Sequence, residues 1–342
     1  MPLLRHTSRT RRSTVSALAA AALVASFGLA LAPAASAAPA TVKIGTTVWI
    51  GYGPFYVAEA LDLFKKHNVK VKLQTFNDPA LLLPAMASGA LDGVLATYDQ
   101  VIGEVAQGRS AKVVMPIDYS NGGDAMLGDA SIKSVADLKG KAVAFNPLSP
   151  SDFLLAYALS KAGLSEKDIK PVNMTPEAIP AAMASGKVPV GVTYEPSVSQ
   201  ILSQGGGKKF KVVFSSKDAP GLIADVLVFP DKAIKARPAD IKGVIAGYLD
   251  GLAYMKAKPD EAHKLIGKAM GLKPAEVKEQ LAGVYNIPLA EMGKAFVQGP
   301  DTTSYYASGA VIGKILKDKG QITAIPATEA TFDAQFVKAL AP

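Results

Sequence analysis

The chain contains no cysteine among its 342 residues. Disulfides and thiolate metal sites are therefore excluded, and a lipid anchor on an N-terminal Cys is not expected. Histidine is nearly as scarce. Past the N-terminal segment only His67 and His263 remain, both in Lys-rich helical patterns. No His-x-x-x-His pair occurs, so a zinc-hydrolase site is not expected. No Gly-x-Ser-x-Gly elbow is present. No Gly-x-x-x-x-Gly-Lys phosphate loop is present either, and Gly51-Tyr52-Gly53 lacks the third Gly of a dinucleotide fingerprint. Basic residues are scattered and form no aromatic-interleaved stripe, which argues against nucleic acid as a partner. The expectation is a protein with no cofactor, no metal and no catalytic set, hence a binder rather than an enzyme.

The N-terminus reads as an export signal. Arg5, Arg9, Arg11 and Arg12 form a basic region, Ser13 to Leu31 is uncharged and rich in Ala, Leu and Val, and Ala35-Ser36-Ala37 is a small-x-small cleavage site. Residues 1–37 are expected to be removed. A transmembrane helix is the weaker reading, because Ala, Ser and Pro dilute the apolar run. Thr10-Arg11-Arg12-Ser13 leaves a twin-arginine route open beside the general secretory one. Four of the 37 basic residues lie in this segment, so 33 stand against 29 acidic ones in the mature chain. That balance, near +4, gives the high pI no special meaning. An exported chain without an anchor points to a periplasm.

The remaining 300 or so residues suit two lobes with two cores. A near-repeat supports that division. Ala85-Met86-Ala87-Ser88-Gly89 leads into Gly93-Val94-Leu95-Ala96-Thr97-Tyr98-Asp99, and Ala182-Met183-Ala184-Ser185-Gly186 leads into Gly191-Val192-Thr193-Tyr194-Glu195. In each copy a small-residue helix ends at Gly and a short apolar strand delivers a Tyr and a carboxylate. Ligands of open α/β sheets bind outside such strand ends. Short β-branched runs at 43–50, 69–76, 93–98, 112–118, 142–145, 188–194, 211–215 and 225–229 alternate with helical patterns, as parallel sheets with helices on both faces require. From Pro238 onward the pattern is mostly helical, with Pro near several helix starts.

Several stretches together resemble the periplasmic solute-binding proteins of nitrate/sulfonate/taurine-type ABC transporters, the NitT/TauT or SsuA/NMT1-like family. Ile44-Gly45 with Gly53-Pro54-Phe55-Tyr56-Val57-Ala58 is similar to the family's first strand and ligand-facing turn. Ala87-Ser88-Gly89-Ala90-Leu91-Asp92 is similar to its Gly-x-x-Asp turn. Ile132-Lys133-Ser134-Val135-Ala136-Asp137-Leu138-Lys139-Gly140-Lys141 resembles the segment opening the second lobe, and Tyr194-Glu195-Pro196 the second-lobe hinge motif. The Asp usual after the second Gly turn is replaced here by Lys187-Val188-Pro189. The resemblance implies an α/β, two-lobed type II (Venus-flytrap) fold, a ligand buried between lobes, docking on an ABC permease, and a monomer. The expected division is 41–122 with 226–342 for lobe I and 123–225 for lobe II. The family also includes fungal thiamine-pyrimidine synthases, which are enzymes carrying a Cys-rich motif absent here. A sensory module is a third class, but no partner domain is encoded.

Candidate ligand contacts follow from strand ends. Trp49 and Tyr52 lie in the loop after the first strand, with a core role as the competing reading for Trp49. Tyr98 with Asp99, and Tyr194 with Glu195, come from the repeat. Asn121 and Asp124 follow the strand expected to cross to lobe II, where Asp124 has a plain turn role as its alternative. Asp225 interrupts an apolar run on the expected return crossing, where an unpaired charge is costly. Carboxylates with aromatic faces suit a small cation or amine. No Arg falls in a candidate segment, whereas an anion site would want one. The runs 118–122 and 218–223 also resemble the branch of the family found beside urea- and guanidine-degrading enzymes, which implies a guanidinium or amide ligand. Against this, Ser149 and Ser151 open a helix whose N-terminus would welcome an anion such as a sulfonate, taurine or nitrate. A thiamine pyrimidine precursor is the remaining alternative. Helix capping by Ser149, with Asp152 in the first turn, is the plain reading of that segment.

Overall fold

The computed structural model describes residues 40–340, so the expected signal at 1–37 lies outside the described residues. Strands β1 (Ala40–Thr46), β2 (Val69–Thr75), β3 (Gly93–Thr97) and β4 (Lys112–Ser120) open the chain. Strands β5 (Asp124–Asp129), β6 (Ala142–Phe145), β7 (Lys170–Asn173), β8 (Val190–Tyr194) and β9 (Phe210–Ser215) follow, and β10 (Ala224–Phe229) and β11 (Val284–Asn286) come last. They build two sheets, ordered β2-β1-β3-β10-β4-β11 and β7-β6-β8-β5-β9.

Apart from β11 the two sheets share one plan. Three parallel strands are followed by an antiparallel neighbour, β10 in the first sheet and β5 in the second. The chain passes to the second sheet between β4 and β5 and returns between β9 and β10. Ala224 and Asp225 already pair with Tyr119 and Asp118, so the first sheet resumes two residues before the expected division at 226. The crossings are tied by serines. Ser120 Oγ lies 2.8 Å from Ser216 Oγ and accepts from the Asp124 amide at 2.9 Å, and Ser216 Oγ accepts from the Gly122 amide at 2.6 Å. These bonds satisfy backbone donors that leave one sheet before reaching the other.

The helices begin where the sequence places prolines: Pro150–Lys161, Pro238–Ala257, Pro259–Met270 and Pro274–Leu281. Helix Pro238–Ala257 lies close on the segment that follows β1. A Cβ at Gly251 would meet Pro54 O at 2.2 Å, and one at Gly247 would meet Phe64 at 2.3 Å. Small residues four apart on one helix face allow this approach. Tyr248 on the same helix packs on Phe55 at 4.9 Å and donates to Ile117 O at 3.1 Å. The helix therefore anchors the loop carrying Trp49 and Tyr52 against β4. Among the described residues no helix is long and apolar enough to cross a membrane.

Candidate functional site

A small cavity of about 20 Å³ lies where the two sheets face each other. The first sheet and its loops supply Thr47, Trp49, Tyr52, Thr97, Gln100, Ile223 and Asp225; the second supplies Asp124, Pro150 and Tyr194. The two antiparallel pairings explain the convergence. Asp225 sits opposite Thr97 at the end of β3, and Asp124 sits opposite Tyr194 at the end of β8. Each sheet thus presents one carboxylate beside the C-terminal end of its third parallel strand.

Both carboxylates are buried, with Asp225 at 4% and Asp124 at 2% exposure. Tyr52 donates its hydroxyl to Asp225 at 2.5 Å. Asp124 keeps one oxygen without any partner. A third carboxylate stands behind them. Asp118 on β4 is fully buried and is the register partner of Asp225. Trp49 Nε1 donates to it at 3.3 Å, and its other oxygen has no partner. A β-bulge between Asp225 and Val226 leaves Ile117 over-counted on β4, and Ile117 O is taken up by the Tyr248 hydroxyl and the Ile287 amide. Gly51 closes the arrangement, because a Cβ there would stand 2.4 Å from Asp118 Oδ2.

Burial dominates the electrostatics. It pushes the Asp118 carboxyl up to about 8 and the Asp124 carboxyl to about 7. It also raises Asp225 well above the usual carboxylate range, with Asp118 adding repulsion, and raises the Tyr52 phenol in turn. No ion pair among the described residues involves any of the three aspartates. Trp49 stands edge-on to Tyr194 at 6.0 Å, giving the cavity aromatic walls.

Five of the eleven residues expected at the site line this cavity: Trp49, Tyr52, Asp124, Tyr194 and Asp225. Tyr98 does not. The repeat aligns Tyr98 with Tyr194, but the strands pair so that Thr97, not Tyr98, matches Tyr194. One residue of offset reverses the side-chain face, and Tyr98 is buried in the core, stacked on Tyr305 at 4.2 Å and bonded to Thr331 at 2.9 Å. Glu195 follows the same offset and accepts from the Ser199 amide at 3.0 Å and its hydroxyl at 2.8 Å. Asn121 is exposed in the β4–β5 turn, with its amide held by Gly283 O at 2.8 Å.

Asp99, Ser149 and Ser151 also stand apart. Asp99 and Ser149 line a second cavity of about 180 Å³ on the far side of Gln100. Burial raises Asp99 to about 6. Ser149 caps its helix, accepting from the Ser151 amide at 3.2 Å and donating to Asn146 O at 2.6 Å. Ser151 is fully buried, and its hydroxyl has no partner. The helix N-terminus already holds a carboxylate, because Asp152 accepts from the Leu148 amide at 3.0 Å. Asp152 also binds Gln321 at 2.7 Å and the Lys319 ammonium, which Glu166 shares. Lys319 and Gln321 belong to the segment packed on the first sheet, so this group clasps the lobes together. Gln100 adds a second clasp, donating to Leu148 O at 3.1 Å. Sequence reasoning missed Asp118, Thr97, Thr47 and Gln100. The signal for Asp118 was its place at the end of an apolar strand, and its role becomes visible only through its pairing with Asp225.

A family described as NMT1/THI5 like matches residues 49–262. The chain belongs to this family. It is 29% identical over 250 residues to an Escherichia coli K12 protein named for binding aliphatic sulfonates, covering 72% of this chain and 76% of that one. It is 24% identical over 289 residues to the taurine-binding periplasmic protein of the same organism, covering 80% and 85%. The alkanesulfonate-binding protein SsuA of Xanthomonas axonopodis pv. citri, solved with MOPS, superposes with a TM-score of 0.70 at 20% identity, over 87% of this chain and all of that one. The family members thus resembled are solute-binding proteins, and the fold is the two-lobed α/β plan expected from the sequence.

Proposed function

We propose that the chain is the extracytoplasmic substrate-binding component of an ABC importer, and that its cleft takes a small polar nitrogen-containing solute of guanidinium, amine or amide type, with a cationic member of that class favoured. The family and the named relatives support the transport role, with a periplasmic location, a permease as docking partner and a monomer acting alone. The lobes are 41–122 with 226–342, and 123–225, adjusted by the early start of β10. The ligand class rests on one observation: Asp124 and Asp225 enter a single buried cavity, Asp118 stands behind them, and no Lys, Arg or His lines it. An anion there would meet carboxyl groups and no cation, whereas a guanidinium would supply several N–H donors to carboxylate oxygens that lack them. Trp49, Tyr52 and Tyr194 add faces for a cation.

An aliphatic sulfonate is the competing ligand, favoured by the names of the relatives and by the buried, unpartnered Ser151 hydroxyl. Asp152 already occupies the helix N-terminus that would attract it. A thermal-shift panel separates the two readings. Guanidine, urea, choline and small amines are compared with taurine, alkanesulfonates, nitrate and thiamine precursors. A ligand at a hundredfold over its Kd adds about 2.7 kcal/mol. Stabilisation by guanidine or amines alone is expected. Stabilisation by sulfonates alone would move the ligand contacts to Ser149 and Ser151, and turnover of any bound compound, seen by mass spectrometry, would make the chain an enzyme.

A further inference from the structure

Three carboxylates with no countercharge are an unusual thing to close two lobes over. All three are buried to within 4% exposure or less, and Asp124 and Asp225, which line the cavity, would meet water if the lobes parted. Closure therefore needs either a positive charge in the cavity or protons on the carboxyl groups. This inference rests on the cation reading above and concerns how that reading is enforced.

We propose that Asp118 is a specificity-determining residue that makes capture an exchange: when the cleft is closed without ligand, Asp118 and Asp225 share a proton, and an entering cation displaces it to solvent. The charge balance is simple. A carboxyl–carboxylate pair plus an aqueous cation gives a carboxylate pair holding the cation, and the proton passes to water or buffer. A neutral or anionic solute displaces no proton and leaves the pair's charge uncompensated, so Asp118 discriminates against it without touching it.

The geometry carries the pairing. Asp118 and Asp225 are direct partners across β4 and β10, and like charges in that relation repel. Among the described residues no Lys, Arg or His is paired with either carboxyl. The 50–52 turn brings the Tyr52 hydroxyl onto Asp225 and the preceding Trp49 indole onto Asp118. On the other side of Asp118, β11 offers Asn286, whose amide is directed to Gly51 O at 2.8 Å. Helix Pro238–Ala257 brings Tyr248, bonded to Ile117 O. From the second lobe come Asp124 and Tyr194. These are two neutral phenols at Asp225 and Ile117, a third across the cavity, one more carboxylate, and no Lys, Arg or His. The direction of the Asp118 and Asp225 shifts, both upward through burial, agrees with a retained proton near neutrality.

The test is calorimetric titration of the full mature chain with guanidinium chloride, and with methylammonium as a second probe, in two buffers of different ionisation enthalpy between pH 6 and 9. About one proton released per cation is expected near pH 7, with affinity rising as pH rises until the pair has lost its proton and flattening above that. Asp118→Asn should still bind the cation through Asp225 and Asp124, but with less proton released per cation and a shallower slope than the parent, because burial keeps Asp225 and Asp124 raised while the repulsion from Asp118 is gone. A merely structural Asp118 would change affinity without changing that slope. Cation binding with no proton release in the parent chain overturns the exchange and leaves the ligand class standing. Binding of sulfonate with no binding of any cation at any pH overturns the ligand class and the exchange together. If Asp118→Asn does not fold, the two-buffer titration of the parent decides alone.

Discussion

The two corners of the cavity are built alike and charged differently. In the first sheet, Asp225 faces Thr97 on one side and a second aspartate, Asp118, on the other, and receives the Tyr52 hydroxyl. In the second sheet, Asp124 faces Tyr194, and the next strand places Ser215 beside the following residue, Ala125. One corner holds a carboxylate pair with donors arranged around it and the other a single carboxylate; each has one oxygen unmet, on Asp118 and on Asp124. The lesson is that a shared strand plan fixes where charge is presented, while the neighbouring strand decides how much. The first lobe should therefore make the primary ligand contact and the second should complete it on closure.

Breaking the richer corner should cost most. Asp225→Asn is expected to weaken cation binding about a hundredfold, since losing one partner of a buried charged hydrogen bond costs about 2–5 kcal/mol. Tyr52 would keep a partner in the amide oxygen, so the fold should survive, and circular dichroism with calorimetry would report both. Asp124→Asn should cost less, about tenfold, because its corner is the one completed on closure. Equal losses at the two positions, or a larger one at Asp124, would reverse the assignment of roles to the lobes.

The clasp between lobes gives a smaller effect of a different kind. Lys319→Met removes the ammonium shared by Asp152 and Glu166, leaving Asp152 with Gln321 and the Leu148 amide. It touches no cavity residue. About a fivefold loss of affinity is expected, from a shift towards the open form rather than from lost ligand contact. Small-angle scattering should show that shift in the ligand-bound variant at subsaturating ligand. An affinity loss with unchanged scattering would mean that Lys319 acts on the ligand site by another route.

Much of this was legible before any coordinates. Alternation of short apolar runs with Pro-started helices gave the layered α/β plan, and the Ala-Met-Ala-Ser-Gly repeat located the two matched corners. Three strands were not announced. β5 begins and ends with Asp and contains Gly128, so it reads as turn, yet it runs through the middle of its sheet between β8 and β9. β7 is short and mostly exposed, and β11 has three residues. Of the sequence candidates, Asp124, Asp225, Trp49, Tyr52 and Tyr194, where a charge or an aromatic ring breaks a local pattern, line one cavity in the structure. Asp118 was not legible, because a strand-end aspartate gains meaning only from the strand beside it, and β10 lies more than a hundred residues away in the chain. Glu195 and Ser149 make capping hydrogen bonds in the structure, and a capping side chain and a ligand-binding one look the same in a sequence.

Tyr98 offers the finest comparison, since it separates the repeat as read from the repeat as folded. It matches Tyr194 by sequence and Glu195 by strand position, and it lies in the first lobe's core rather than in the cavity. Tyr98→Phe removes only the hydroxyl bonded to Thr331 at 2.9 Å and keeps the stack on Tyr305. Loss of one buried hydrogen bond should lower stability by about 1 kcal/mol, visible as a lower urea midpoint with an unchanged slope. Affinity for the cation should stay within twofold. Tyr194→Phe removes the corresponding hydroxyl from a residue that does line the cavity, so any affinity change should appear there and not at Tyr98. The opposite pattern would restore the sequence alignment of the two tyrosines and move the ligand towards the end of β3.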